Sequence, residues 1–312
     1  MGSKAFFAGK LVLPLICMLG FLALPASLRA DEIVIDHAQG QTTLPAKPEK
    51  VLVYDLGVLD TLDALGVDVT GVPTAFVPDY LKHYREPSYL KIGSLFEPDF
   101  EAVNAAEPDL IVVASRSAPQ YEALSKLAPT IDLTIGADEY LEGVERNAAL
   151  LGRIFDKEEK AGELIDELER SVTDVRRKAA EAGNALVILA NGGKLSAYGP
   201  GSRFGWLYRD LGFVPVVEDL DAATHGEAIS FEFLLKTNPD WLFVIDRDSA
   251  IGQAGQSARK LMDNELVAAM SAAQNDRIVY ADAVRWYLTN SGISAAQTIV
   301  ENVGAALNAK QR

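Results

Sequence analysis

Short apolar runs alternate with amphipathic stretches along most of the chain. The short runs favour buried strands, and the amphipathic stretches favour helices, two of which end at Gly66 and Gly212. Elements that alternate in this way are typical of α/β folds with largely parallel sheets. We expect strands or helices at residues 51–54, 56–65, 69–72 and 110–113 in the first half and at residues 185–190, 204–211 and 242–245 in the second.

The two halves also share a spaced motif. In each half a Phe-Glu pair stands eight residues before a Pro-Asp pair, and an arginine follows eight residues after the proline. Agreement at all these positions indicates two structurally related lobes. The two copies are Phe100-Glu101, Pro108-Asp109 and Arg116, and then Phe231-Glu232, Pro239-Asp240 and Arg247.

One long amphipathic helix separates the two copies. Asp156 is a good N-cap residue, with Glu159 three residues on, and Gly183 is a suitable C-terminal stop. A helix over residues 157–182 would be about 39 Å long at 1.5 Å per residue. Its apolar stripe consists of Ala161, Leu164, Ile165, Leu168, Val172, Val175 and Ala179.

These patterns predict two Rossmann-like α/β lobes bridged by a single long helix. The predicted organisation is a signal peptide at 1–30, an N-terminal lobe at 31–155, the bridging helix at 156–183 and a C-terminal lobe at 184–312. We expect a final helix near residues 293–309 to close the second lobe.

The N-terminus has the layout of a secretory signal peptide. Lys4 and Lys10 precede an uncharged apolar run at 11–24, and the small residues Ala26 and Ala30 are candidate cleavage points. A retained membrane anchor is the alternative, but a spanning helix needs about 20 apolar residues. We therefore expect export to a periplasm.

The single cysteine, Cys17, lies within that apolar run. Pro14, Leu15 and Ile16 precede it, whereas a lipoprotein signal has leucine and small residues there, so we expect no lipid anchor. The mature protein would contain no cysteine and hence no disulfide.

Charge narrows the possible partners. After loss of residues 1–30 the chain keeps 26 basic and 44 acidic side chains, a net charge of −18. Such an acidic protein has no electrostatic footprint for nucleic acid, and it would be repelled by an anionic membrane surface. An anionic ligand would need a local cluster of arginines.

Three arginines are candidates for that cluster. Arg116 and Arg247 each follow an apolar strand, and ligands of open α/β sheets bind beyond the carboxyl ends of strands. Arg203 lies in a Gly-Pro-Gly-Ser-Arg turn that is expected to open a helix, whose free N–H groups would favour an anion. The alternative for any one of them is a surface ion pair.

For three other candidate residues the sequence alone gives weaker evidence of a functional role. His225 lies in a loop before the second Phe-Glu pair, and a lone histidine is more often structural. Trp286 and Tyr287 are more often core residues. The sequence contains no Gly-x-Ser-x-Gly, P-loop or His-Glu-x-x-His motif, so we do not expect an enzyme.

Three segments resemble the periplasmic iron–siderophore binding proteins of ABC importers, closest to the catecholate and petrobactin-type binders. The likeness covers essentially the whole mature chain. The segments are residues 51–66, the Tyr-Gly-Pro-Gly-Ser-Arg-Phe-Gly turn at 198–205 and the Trp-Tyr-Leu run at 286–288.

The resemblance implies a helical-backbone periplasmic binding protein of class III, with a shallow cleft and little hinge motion. It implies that Arg116, Arg203 and Arg247 contact catecholate oxygens. His225 and Tyr287 would complete iron coordination when the siderophore offers only four donors. A one-residue shift in the alignment with the family would assign the ligand contact of Tyr287 to Trp286.

The resemblance also implies partners. Glu101 and Glu232 would bind arginines of the membrane permease. Fe(III) would enter only as part of the siderophore, with no intrinsic cofactor, and we expect a monomer.

Rival interpretations remain open from the sequence. The same scaffold could carry haem, cobalamin, a hydroxamate siderophore or a bare metal, although three histidines and no mature cysteine disfavour bare metal. A secreted α/β enzyme is the alternative from another class. We expect a periplasmic protein that captures a ferric catecholate siderophore for an ABC importer.

Overall fold

A computed structural model describes residues 1–4, 32–220 and 226–310. Nearly all of the expected signal peptide, including Cys17, Ala26 and Ala30, therefore lies outside the described residues. In the described ranges, no helix combines the length and the apolar character that a membrane span requires.

The first half of the chain forms a five-stranded parallel sheet and a separate hairpin. The sheet order is β5-β4-β3-β6-β7, and β1 pairs with β2 in antiparallel fashion. The fully parallel sheet confirms the α/β prediction for this lobe. The strands are β1 (Ile33–His37), β2 (Gly40–Leu44), β3 (Val51–Val53), β4 (Gly71–Val72), β5 (Leu90–Lys91), β6 (Leu110–Val113) and β7 (Thr130–Asp132).

The second half forms a mixed sheet in the order β11-β9-β8-β12-β13, with β10 also paired to β8. Strands β8, β12 and β13 are parallel, whereas β9 pairs in antiparallel fashion with both of its neighbours, β8 and β11. The strands are β8 (Asn184–Asn191), β9 (Lys194–Tyr198), β10 (Val214–Pro215), β11 (Glu227–Ile229), β12 (Trp241–Asp246) and β13 (Ile278–Tyr280).

Helices cover the sheets and join them. The helices of the first half are α1 (Leu56–Leu65), α2 (Phe100–Ala106), α3 (Tyr121–Leu124) and α4 (Tyr140–Ile154), followed by the bridging helix α5 (Glu158–Ala179). The helices of the second half are α6 (Trp206–Arg209), α7 (Phe231–Thr237), α8 (Arg247–Ala250), α9 (Ala258–Leu261), α10 (Glu265–Ala268), α11 (Ser271–Gln274), α12 (Ala283–Tyr287) and α13 (Ile293–Lys310).

The spaced motif corresponds to the same local structure in both lobes. In each copy the Phe-Glu pair begins a seven-residue helix, α2 or α7, and a left-handed residue ends it. The aspartate of each Pro-Asp pair then accepts a backbone N–H at the start of the neighbouring strand. Asp109 accepts from Lys50 at 2.8 Å, and Asp240 accepts from Asn184 at 3.0 Å.

The bridging helix is shorter than expected. It has 22 residues, or about 33 Å, and its N-cap is Lys157. Asp156 does not cap it, because its backbone is left-handed with φ 55°. Ala161 packs in the core of the first lobe, whereas Leu168 and the residues beyond it pack in the core of the second, so α5 spans both.

Two further expectations are corrected in detail. The strand predicted at 69–72 is only β4, and the helix predicted at 204–211 is only α6, because a tight turn occupies the residues before it. The antiparallel β8–β9 hairpin was not predicted. Gly192 and Gly193 at its tip have positive φ, so Asn191-Gly192-Gly193 is the turn signal that could have revealed it.

A buried carboxylate on α1 holds the start of α13. Asp60 Oδ1 accepts the backbone N–H groups of Ser294 (2.9 Å) and Ala295 (3.1 Å), and Asp60 is 1% exposed. The hydroxyl of Tyr80 lies 2.9 Å from both Asp60 Oδ2 and Thr289 Oγ1. The final helix is therefore tied to the first lobe as well as to the second.

This carboxylate should make stability depend on pH. Burial raises the pKa of Asp60 to about 6, outweighing its hydrogen bonds, so the folded protein binds the proton more tightly than an unfolded aspartate does. The stability it contributes is present below about pH 4 and is lost as the pH rises through about 6. From pH 4 to pH 7, the stability of Asp60→Asn should therefore rise by roughly 2 kcal/mol relative to the original protein.

Urea unfolding at both pH values measures this difference. Asp68→Asn, at an exposed position just after α1, is the control and should show no such change. A stability difference for Asp60→Asn that is the same at pH 4 and pH 7 would contradict the assignment.

Candidate functional site

Arg116 follows β6 at the carboxyl end of the first sheet. The chain turns there through Ser115, whose φ of 53° is left-handed and unusual for a residue with a side chain. The Ser115 N–H donates to Thr134 Oγ1 at 2.7 Å, just beyond the neighbouring strand β7. This turn fixes the position of Arg116.

Arg203 lies in a closed turn between β9 and α6. Ser202 is buried, and its hydroxyl donates to the Gly199 carbonyl at 2.7 Å. Gly205 closes the turn so tightly that a Cβ there would lie 1.9 Å from the Pro200 carbonyl oxygen. The expected anion site at a helix start is wrong here, because α6 has only four residues and the Ser202 and Gly205 N–H groups bond within the turn.

Arg247 is the first residue of α8, directly after the central strand β12. Asp246 caps that helix by accepting the Ser249 N–H at 3.0 Å. Arg247 Nη1 donates to Asn191 Oδ1 at 3.2 Å, so the β8–β9 hairpin helps to orient it. Sequence reasoning missed this role of Asn191.

All three arginines converge on Tyr287, the last residue of α12. Arg116 Nη2 and Arg203 Nη2 donate to its backbone carbonyl, at 2.8 and 3.1 Å, and Arg247 Nε donates to its hydroxyl at 3.1 Å. The guanidinium carbons lie 5.1, 5.0 and 5.8 Å from the centre of the Tyr287 ring, in the same order. We call these four residues the arginine cluster.

The cluster carries positive charge with little compensation. Among the described residues, Arg116 and Arg203 have no carboxylate oxygen at ion-pair distance, although Asp55 acts on Arg116 electrostatically, and Arg247 has Asp248 at 3.9 Å. Burial and the nearby Arg116 lower the pKa of Arg203 to about 10, so it is still charged at neutral pH. The cluster can therefore accept an anion with several charges.

The three cations also act on the phenol. Burial alone would raise the pKa of Tyr287, but the Arg247 hydrogen bond and the three positive charges lower it below its ordinary value. The arrangement favours a phenolate, which is a suitable oxygen ligand for a hard metal ion such as Fe(III).

Trp286 does not belong to this cluster. Its side chain is 2% exposed and packs against Trp206, with ring centres 4.7 Å apart, and against Phe243 at 5.9 Å. Direct ligand contact by Trp286 is therefore wrong, because its ring fills the core of the second lobe. Of the two neighbouring aromatic residues, Tyr287 is the one beside the arginines.

His225 lies outside the described residues, so its place relative to Tyr287 is not part of this geometry. In the described ranges, no group of three or more His, Cys, Asp or Glu side chains is arranged to hold a metal ion.

The two repeat-related glutamates are solvent-exposed. Glu101 and Glu232 each occupy the second residue of their helices, α2 and α7. Hydrogen bonds from the Ser230 hydroxyl and from its own backbone N–H lower the pKa of Glu232. One of these two helices lies in each lobe.

The profile of the family described as "Periplasmic binding protein" matches residues 51–284. The chain is similar to the petrobactin-binding protein YclQ of Bacillus subtilis, with 39% identity over 280 residues that cover 88% of each chain. The crystal structure of YclQ has a TM-score of 0.85 and is covered to 99%, over 89% of this chain.

Two further relatives show the same likeness. The ferric-anguibactin-binding protein FatB of Vibrio anguillarum is 32% identical over 277 residues, 87% of this chain and 86% of FatB. The periplasmic catecholate-siderophore binding protein VctP of Vibrio cholerae is 35% identical, with a TM-score of 0.83 over 89% of this chain and all of VctP.

The lowered pKa of Tyr287 can be tested by titration. Tyrosinate absorbs near 295 nm, so we expect an early rise in absorbance below the ordinary phenol pKa of about 10. This rise should be lost in Tyr287→Phe and kept in the control Tyr280→Phe. An early rise that persists in Tyr287→Phe would contradict the effect of the arginines.

Proposed function

The chain belongs to the periplasmic binding protein family, and we propose that it captures a ferric catecholate siderophore and delivers it to an ABC importer. The observation that carries the ligand class is the arginine cluster: three charged side chains around one tyrosine, two of them without a carboxylate oxygen at ion-pair distance among the described residues. The similarity to YclQ and VctP supports the same class of ligand.

The chemistry of the ligand fits the cluster. A ferric tris-catecholate carries three negative charges spread over the oxygens of aromatic rings. Arginine offers planar donors that stay charged and that also stack on rings. The arginine cluster thus matches the ligand in charge, in hydrogen bonding and in the flat shape of its rings.

With a siderophore that supplies only four oxygen donors, the protein would complete the iron coordination. Tyr287 would supply a phenolate and His225 an imidazole. Fe(III) is then part of the cargo, and the protein has no cofactor of its own.

Delivery requires contact with the importer. We place the permease contacts at Glu101 and Glu232, because their two helices are related by the repeat and both carboxylates face solvent. One exposed carboxylate per lobe would let the permease bind both lobes at once. The protein would act as a monomer, which light scattering can test.

The site of action would be the periplasm, after removal of residues 1–30 and without a lipid anchor. The mass of the protein in a periplasmic extract distinguishes cleavage after Ala26 from cleavage after Ala30. We infer that the protein is not an enzyme: its relatives are binding proteins, and the arginine cluster contains no acid–base pair.

Binding by the arginine cluster can be measured through fluorescence. Ferric catecholates should quench the Trp and Tyr emission of the mature protein with a Kd below about 1 μM. Arg203→Ala should raise that Kd at least tenfold, since a charge-assisted hydrogen bond contributes about 1.5–3 kcal/mol.

The matched control is Arg259→Ala, because Arg259 is an exposed cation that stacks on Tyr280 outside the cluster. Its Kd should stay within twofold of the original. If a panel of ferric catecholates causes no quenching while the protein remains folded, the proposed function is refuted.

Docking is tested separately from binding. Cells that depend on Glu101→Ala or Glu232→Ala should take up less radioactive ferric siderophore, while the Kd of the purified variants stays the same. Glu122→Ala, an exposed glutamate on α3, is the control and should support normal uptake. Normal uptake by the Glu101 and Glu232 variants would remove these residues from the docking surface.

A further inference from the structure

A cavity of about 750 Å³ lies between the lobes, apart from the arginine cluster. Its volume is within the range of about 300–1,000 Å³ that is usual for ligand sites. Residues of the first lobe form one wall and residues of α8 and α12 form the other. The lining residues that matter here are Phe76, Val77, Tyr80, Ser249, Ile251 and Arg285.

The cavity shares two helices with the arginine cluster. Helix α8 begins with Arg247, and Ile251, one turn further on, lines the cavity. Helix α12 ends at Tyr287, and Val284, one turn before it, also lines the cavity, so cluster and cavity residues share a face of each helix. A ligand held at Tyr287 would therefore have the cavity close beside it. An extended molecule could occupy both.

The charges in the cavity are largely neutralised, unlike those of the arginine cluster. Arg285 pairs with Asp282 at 2.5 Å, and Arg85 pairs with Asp79 at 2.8 Å. The remaining cation, Lys91, directs its ammonium to the backbone carbonyl of Tyr84 at 2.6 Å. These walls offer polar atoms and apolar surface but little net charge, so they suit an uncharged polar chain better than a multiply charged head.

Phe76 gives an independent sign of function at this wall. Its φ is 66°, in the left-handed region that bulky side chains rarely adopt, and the residue is 36% exposed. Strain of this kind persists where the surroundings impose it, and it is concentrated at functional sites. The strained backbone places an apolar residue in the lining of the cavity.

We propose that this cavity binds the non-chelating amide backbone of the siderophore, while the iron-bearing head lies at the arginine cluster. The inference rests on the proposed function and deepens it. The arginine cluster selects the anionic head, and the neutralised walls with Phe76 accept the uncharged linker. The cavity would then distinguish siderophores by the length and polarity of their backbone.

The test compares two ferric ligands with the same kind of head. One is the ferric complex of a linear siderophore whose catechols are joined by an amide backbone. The other is ferric catechol, formed with catechol in excess, which has no backbone. Ser249→Trp places a large ring into the cavity from an exposed position. The control is Gln253→Trp, an exposed position outside the cavity lining.

Ser249→Trp should raise the Kd of the amide-backbone siderophore about tenfold and leave that of ferric catechol within twofold. Gln253→Trp should change neither. Phe76→Asn, which tolerates a left-handed backbone, should show the same selective loss of affinity with no fall in Tm.

Two results would overturn the role of the cavity. One is an equal loss of affinity for the two ligands, and the other is unchanged affinity for both ligands in both Ser249→Trp and Phe76→Asn. In both of these cases the wild-type protein still binds ferric catecholates, so the proposed function would stand. Failure of the wild-type protein to bind either ligand would instead refute the proposed function, and this inference with it.

Discussion

Three like charges are confined around one tyrosine, and the rest of the site depends on this constraint. Guanidinium groups that share one partner repel each other, and burial adds to the cost, as the lowered pKa of Arg203 shows. The backbone holds the three arginines in place despite this repulsion, through a left-handed turn at Ser115, a closed turn at Gly205 and a capped helix start at Arg247. An anionic ligand would relieve the repulsion.

The lobes are joined closely enough to keep that geometry in place. A Cβ at Gly57 would lie 1.9 Å from Ser291 Oγ, and one at Gly292 would lie 2.3 Å from Asp60 Oδ1. The chain that follows Tyr287 therefore runs in direct contact with α1 of the first lobe. Because Arg116 belongs to one lobe and Arg203 and Arg247 to the other, this contact helps to preset the cluster before a ligand arrives.

Local patterns predicted much of the fold. The helix expected at residues 56–65 is α1, with Gly66 left-handed at its end, and the Phe-Glu and Pro-Asp spacing corresponds to equivalent helices and strands in both lobes. These features depend on capping residues and apolar runs that are close in sequence. The α6 segment was overpredicted because the helical pattern does not reveal the closed turn at Gly205.

The site was predictable only in part. The topology rule for strand ends placed Arg116 and Arg247 correctly, but nothing local says that Tyr287, and not Trp286, would lie between them. That choice depends on which face of the short helix α12 packs into the aromatic core of the second lobe. The bond from Asp60 to α13 joins residues more than 230 positions apart and has no local signature.

The central claim is that charge at the arginine cluster selects the ligand, and one comparison tests it most directly. The Kd of the mature protein should be measured for a ferric tris-catecholate, which carries three negative charges, and for a ferric tris-hydroxamate, which is neutral. The account predicts that the catecholate binds at least 100-fold more tightly, since several charge-assisted bonds of about 1.5–3 kcal/mol each are at stake. Equal affinity for the neutral hydroxamate would contradict it.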